Sequence, residues 1–79
     1  MKVTVKIKLK DVVLDPQGKA VLNGIHKLGF DFIKDVRVGK LIELDIDNME
    51  INDGEAKVKE LCEKLLANTI IEDYAVDVR

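Results

Sequence analysis

A chain of 79 residues with 13 Lys and Arg against 15 Asp and Glu has the length of one domain and a net charge of −2. Its 47% apolar and 35% charged residues are the composition of a folded chain rather than a disordered one. The mild acidity argues against nucleic acid as the main partner, the single cysteine excludes an internal disulfide or a cysteine-built zinc site, and no run of about 18 apolar residues is present to span a membrane. A core in a chain this short seldom supplies more than roughly 3–5 kcal/mol of net stability. Oligomerisation is the remaining common way to bury more apolar surface, so a homo-oligomer is expected.

Val3, Val5, Ile7 and Leu9 alternate with Thr4, Lys6, Lys8 and Lys10, which predicts a half-buried strand over residues 2–10. The same alternation lacks the continuous apolar stretch of a signal peptide, and a cytosolic location is expected. Asp15-Pro16 is a helix start, with Asp as N-cap and Pro at the first position. Val21, Ile25 and Leu28 recur at helical spacing and Gly29 is a natural stop, giving a helix over 16–28. Val36, Val38, Ile42, Leu44 and Ile46 share one parity, and Arg37, Glu43, Asp45 and Asp47 the other. Two arrangements keep the apolar set together: a three-residue loop from Gly39 to Leu41, or one long strand bent at Gly39, the latter favoured and requiring a pairing partner beyond the compact monomer. Asn52 or Asp53 is expected to cap a second helix over 54–67, with Val58, Leu61, Cys62 and Leu65 as its apolar stripe. Asn68 is expected to end it in a left-handed conformation, and a last strand follows over 70–78 with Tyr74, Val76 and Val78 inward.

The result is an α+β domain occupying residues 1–79, in the order β-α-β(β)-α-β. An antiparallel sheet of three or four strands carries two helices on one face, a ferredoxin-like variant that shares strands across a homodimer. On the outer sheet face Lys6, Lys8 and Lys10 are expected to oppose Glu43, Asp45 and Asp47. A base-stacking sheet would need exposed aromatics, and Phe30, Phe32 and Tyr74 fall on no polar strand face. His26 has no nucleophile or orienting carboxylate at a recognisable spacing. Cys62 sits in the apolar stripe and reads as core. A metal-carrying loop of CxxC type is absent after the first strand, where the chain reads Asp11-Val12-Val13-Leu14. Gly18-Lys19 and Gly39-Lys40 lack the remainder of a P-loop. Arg37 can clamp a carboxylate across an interface. With one His, one Cys and no Ser, no catalytic set is evident.

Three stretches carry a resemblance: Val13-Leu14-Asp15-Pro16-Gln17-Gly18-Lys19-Ala20, Asp35-Val36-Arg37-Val38-Gly39-Lys40, and Cys62-Glu63-Lys64-Leu65-Leu66-Ala67-Asn68-Thr69-Ile70-Ile71-Glu72-Asp73-Tyr74. Together, in order and spacing, they resemble the PurS family, the small subunits of phosphoribosylformylglycinamidine synthase. The resemblance implies a non-catalytic subunit in purine biosynthesis, where formylglycinamide ribonucleotide, glutamine and ATP give formylglycinamidine ribonucleotide. It implies a homodimer or tetramer that docks on a synthetase subunit, PurL, and a glutaminase subunit, PurQ, and supports ammonia transfer between them. ATP and Mg are implied in the large subunit, with no cofactor, metal, membrane or nucleic acid on this chain. The interface residues implied are Asp15, Gln17, Gly18, Arg37, Gly39, Lys40, Asn68, Glu72, Asp73 and Tyr74. Of these, Asp15, Gly18 and Asn68 also have capping or turn roles, and Gly39 a role in bending a strand. The alternative reading is a small-molecule-sensing regulatory α+β domain.

Overall fold

A computed structural model describes residues 1–78. The elements are β1 (Lys2–Leu9), α1 (Pro16–Lys27), β2 (Gly39–Asp45), α2 (Ile51–Leu61) running into a π-helical turn (Cys62–Leu66), and β3 (Glu72–Val78). The sheet has three antiparallel strands in the order β2-β1-β3. The α+β class, the element order and the antiparallel sheet are those expected from the sequence.

Strand alternation builds the core. Val3, Val5 and Ile7 of β1 are at most 2% exposed and meet Val58, Cys62 and Ala67 from the second helix and its turn. Ile42, Leu44, Tyr74, Val76 and Val78 close the sides from the flanking strands. Each fully buried aliphatic side chain here contributes about 1.5–3 kcal/mol.

The second helix starts earlier than expected. Glu50 is its N-cap without a side-chain hydrogen bond, so Asn52 and Asp53 lie inside the first turn. Its last turn departs from α geometry, with the Ala67 N–H bonded to the Cys62 carbonyl at 3.0 Å. An i→i+5 bond takes in one extra residue and rotates every following side chain backwards around the axis. Leu65, expected in the apolar stripe, is therefore 75% exposed, while Leu66 and Ala67 turn inward. Glu55–Lys59 and Glu60–Lys64 form i,i+4 ion pairs at 3.1 and 2.9 Å.

The first helix is where the packing differs from expectation. Only α2 lies closely on the sheet, and Gly18 is the one buried residue of α1. Val21, Leu28, Phe30 and Phe32 are 43, 76, 50 and 73% exposed. A compact chain of this length has a radius of gyration of about 12 Å, against 15.9 Å here, with a longest extent of 49 Å. So α1 and the segment that follows it project from the sheet as an arm, attached at the helix N-terminus. At its far end Gly29 adopts φ +92°, the left-handed stop expected of it.

The middle segment has no hairpin at Gly39. Residues 36–38 approach in extended form, and β2 begins at Gly39, paired with Lys8. A side chain at Gly39 would place its Cβ 2.6 Å from the Ile7 carbonyl oxygen, so the close crossing there requires glycine. The register also alters the expected charge ladder. Lys6 faces Leu41 and Lys8 faces Gly39, while Thr4 faces Glu43 and Lys2 faces Asp45. The one β1–β2 ion pair described is Lys2–Asp45, at 3.7 Å. Among the described residues no helix is long and apolar enough to cross a membrane.

Candidate functional site

The three sequence motifs, far apart in the chain, meet at one end of the sheet. Gly39 and Asp73 pair with Lys8 from opposite sides, and Lys40 and Tyr74 likewise flank Ile7. The loop leaving β1 leads directly to the start of α1, which places Asp15, Gln17 and Gly18 at the same end.

Asp15 joins two of these segments. As N-cap it accepts the Gly18 N–H on Oδ1 at 2.9 Å, and on Oδ2 it accepts the Val38 N–H at 2.8 Å. It is 5% exposed. The Val38 and Gly18 N–H bonds, with the Arg37 guanidinium nearby, hold its carboxyl below the usual 3.8 against the opposing effect of burial. Gly18 lets the helix start come directly under the Val36 carbonyl, where a Cβ would overlap the oxygen.

Arg37 braces the loop on the other side. Its Nη2 donates to the carbonyl oxygens of Lys10 at 2.9 Å and Val13 at 3.0 Å. This is a backbone clamp, with no carboxylate in the fork. Lys40 Nζ lies 3.7 Å from Glu72 Oε2, joining the two edge strands across the end of β1. The other oxygen of Glu72 accepts the Asn68 N–H at 2.7 Å, and the Asn68 side chain accepts the Ile70 N–H at 3.2 Å. Asn68 thus shapes the turn through its amide oxygen and not through a left-handed backbone, since glycine alone has positive φ among the described residues. Asp73 stands 4.0 Å from Lys10 Nζ. The Tyr74 hydroxyl donates to Glu63 Oε1 at 2.8 Å, and this bond raises the phenol above its ordinary value. Cys62 is buried and its thiol is pushed up by desolvation.

A cleft of about 240 Å³ lies where the motifs meet, lined by Asp15, Gln17, Gly39, Lys40 and Glu72 above the Ile7 and Leu9 strand end. It contains residues from each motif. Asp15 and Glu72 in its lining hold backbone, with two N–H groups on Asp15 and one on Glu72, and Arg37 nearby holds two carbonyls. Such groups fix a surface rather than move protons. Among the described residues no three His, Cys, Asp or Glu side chains are arranged to hold a metal. His26 is exposed on the arm, its Nε2 2.8 Å from the Ile33 carbonyl. Lys10 and Glu63 also belong to the cluster, and sequence reading did not single them out for it. Their partners lie 63 and 11 residues away, so no local spacing marks them.

Residues 2–79 match the family model described as "PurS: Phosphoribosylformylglycinamidine (FGAM) synthase". The chain is similar to the PurS subunit of phosphoribosylformylglycinamidine synthase of Bacillus subtilis, 51% identical over 98% of this chain and 90% of that protein. The solved B. subtilis PurS superposes with a TM-score of 0.87 at 50% identity, covering 99% of this chain and 96% of that one. PurS of Methanocaldococcus jannaschii, a subunit of formylglycinamide ribonucleotide amidotransferase, gives 0.89 at 40% identity over 99% and 94%. A chain of the PurLQS structure from Thermotoga maritima gives 0.87 at 28% identity over 96% and 93%.

Proposed function

The chain belongs to the PurS family of phosphoribosylformylglycinamidine synthase subunits, and on that premise we propose that it is the non-catalytic subunit that holds the synthetase and glutaminase subunits together. Purine biosynthesis is its setting, and the complex is a ligase. The observation that carries the reading is the convergence of three separate motifs on one rigid end of the sheet. The Asp15, Arg37, Asn68 and Glu72 side chains are engaged in fixing backbone there, which suits a docking surface better than a reaction centre.

The partners are a PurL synthetase and a PurQ glutaminase, as in the complex that the T. maritima relative forms. ATP and Mg act in the large subunit, and this chain carries no cofactor in the cytosolic complex. The reaction takes formylglycinamide ribonucleotide, glutamine and ATP to formylglycinamidine ribonucleotide. Docking supports ammonia transfer by aligning the two active sites, because a path closed to water limits loss of ammonia to protonation and diffusion. Asp15, Gly18, Arg37 and Gly39 hold the docking surface in shape; Gln17, Lys40, Glu72 and Asp73 present it.

The subunit works as a homo-oligomer. Supporting this, the arm exposes Val21, Leu28, Phe30 and Phe32, while Ile42, Leu44 and Ile46 at the β2 side of the sheet are only half-buried. A monomer would leave both surfaces in water.

Reconstitution tests the reading. PurL with PurQ should need this chain for glutamine-dependent synthesis, and ammonia-dependent synthesis by PurL should need it far less. Full glutamine-dependent activity without it would refute the assignment.

A further inference from the structure

The outward face of the sheet is divided by charge. Because Val5, Ile7 and Ile42 face the core, the register turns Lys6, Lys8, Leu41, Asp73 and Ala75 to the other side. Across that face Lys6 stands between Leu41 and Ala75, and Lys8 between Gly39 and Asp73. At the opposite end Glu43, Asp45 and Asp77 share the same face with Lys2, which pairs with Asp45, so the lysines of this face that lack an acidic partner lie toward the motif end.

Two features make the cationic end a receptor. Lys6 and Lys8 are exposed and form no ion pair with any described residue; the carboxylate of Asp73 is nearest Lys10, at 4.0 Å. Between them lies a groove of about 540 Å³ whose floor includes Leu41, 57% exposed, and Ala75. The groove runs past Gly39 to Arg37 and Lys40, and so is continuous with the motif cluster on the other face.

Resting on the docking role given above, we infer that this groove receives an acidic segment of a partner subunit, with an apolar side chain laid over Leu41 and Ala75 and carboxylates meeting Lys6 and Lys8. Charge complementarity carries the choice of partner. Unpaired lysines around an apolar floor favour a protein segment bearing both carboxylates and an apolar residue. A nucleic acid strand would lack the aromatic stacking it needs on such a sheet, and it would meet Asp73.

The test uses the full chain and the assembled PurL and PurQ subunits. Affinity is measured by sedimentation or interferometry over a range of salt for the unaltered chain, Lys6→Glu/Lys8→Glu, Leu41→Asp and the α2 control Lys59→Glu. The double reversal is expected to lose about tenfold or more in affinity and to flatten the salt dependence, with the control within about twofold of the parent. The neutral pair Lys6→Gln/Lys8→Gln covers the case in which reversal disturbs the sheet; it should lose affinity less steeply with an unchanged circular dichroism spectrum. Cross-linking from position 41 should reach an acidic stretch of the partner, and reversing that stretch should restore binding to the double variant. Parental affinity in both double variants would overturn the inference and leave the docking role standing. Failure of the unaltered chain to bind either subunit would overturn both. Loss of self-association in place of partner binding would assign the groove to a second copy and overturn the inference as well.

Discussion

One carboxylate oxygen of Asp15 accepts the N–H of Val38, 23 residues further along the chain, at 2.8 Å. Through this bond the cap of α1 also fixes the backbone leading into β2, so one side chain holds the arm to the sheet. Asp15→Ala should lower the melting temperature by several degrees and loosen the arm, seen as faster amide exchange in residues 16–20 and at Val38.

The same residue gives an acid limb to stability. Its pKa is lowered in the folded state, so its contribution is fully present above the unfolded value and is lost as pH falls through the folded one. Urea midpoints between pH 2 and about 6 should fall less steeply with acid in Asp15→Asn than in the parent, because the amide does not titrate. Parallel curves would show that other carboxylates dominate the limb.

Two glycines of α1 should answer alanine with opposite signs. At Gly24 a Cβ meets nothing within 4 Å, so Gly24→Ala should stabilise by about 0.5–1 kcal/mol through helix propensity. At Gly18 the new methyl would run into the Val36 carbonyl and the Asp15 side chain, and Gly18→Ala should cost about 1–3 kcal/mol. Denaturant titrations of both variants against the parent decide the matter.

Arg37→Ala removes the donor shared by the Lys10 and Val13 carbonyls. Both partners are near solvent and can turn to water, so the loss should be about 0.5–1.5 kcal/mol. Faster exchange should be confined to residues 10–15. If docking depends on that loop, affinity for the partner subunits should fall more than stability does.

Cys62 is fully buried and its thiol is held protonated by desolvation. A disulfide reagent at pH 8 should therefore modify it only as fast as the chain opens, at a rate that climbs with urea. Cys62→Ser should cost about 1–3 kcal/mol by placing a hydroxyl among Val5, Ile7 and Val58.

Local chemistry was the legible part of the sequence. The Asp15-Pro16 start, the Gly29 stop and the β1 alternation each depend on neighbours within a few residues, and they appear where their patterns place them. What depends on distant partners was hidden. The β1–β2 register sets Lys6 against Leu41 rather than an acid, and nothing in either strand alone specifies that offset. The π turn at Cys62 exchanges Leu65 for Leu66 at the core because one backbone bond skips a residue, an event without a side-chain signature. The position of α1 was misread for a simpler reason: an amphipathic helix announces that it wants cover, and not which molecule provides it. At the motif end the glycines and charged residues were identified as interface candidates. Their proximity to one another, and the use of Asp15, Arg37 and Glu72 to hold main chain, became visible only with the strands paired.

Main chain meets main chain at Gly18 beneath Val36 and at Gly39 beside Ile7. A junction made of peptide groups is blind to the identity of most side chains around it. Provided those two positions stay bare, the rest of the surface is free to drift in composition while the skeleton keeps its outline, which would let a small accessory chain change alongside larger companions without relearning how to fold.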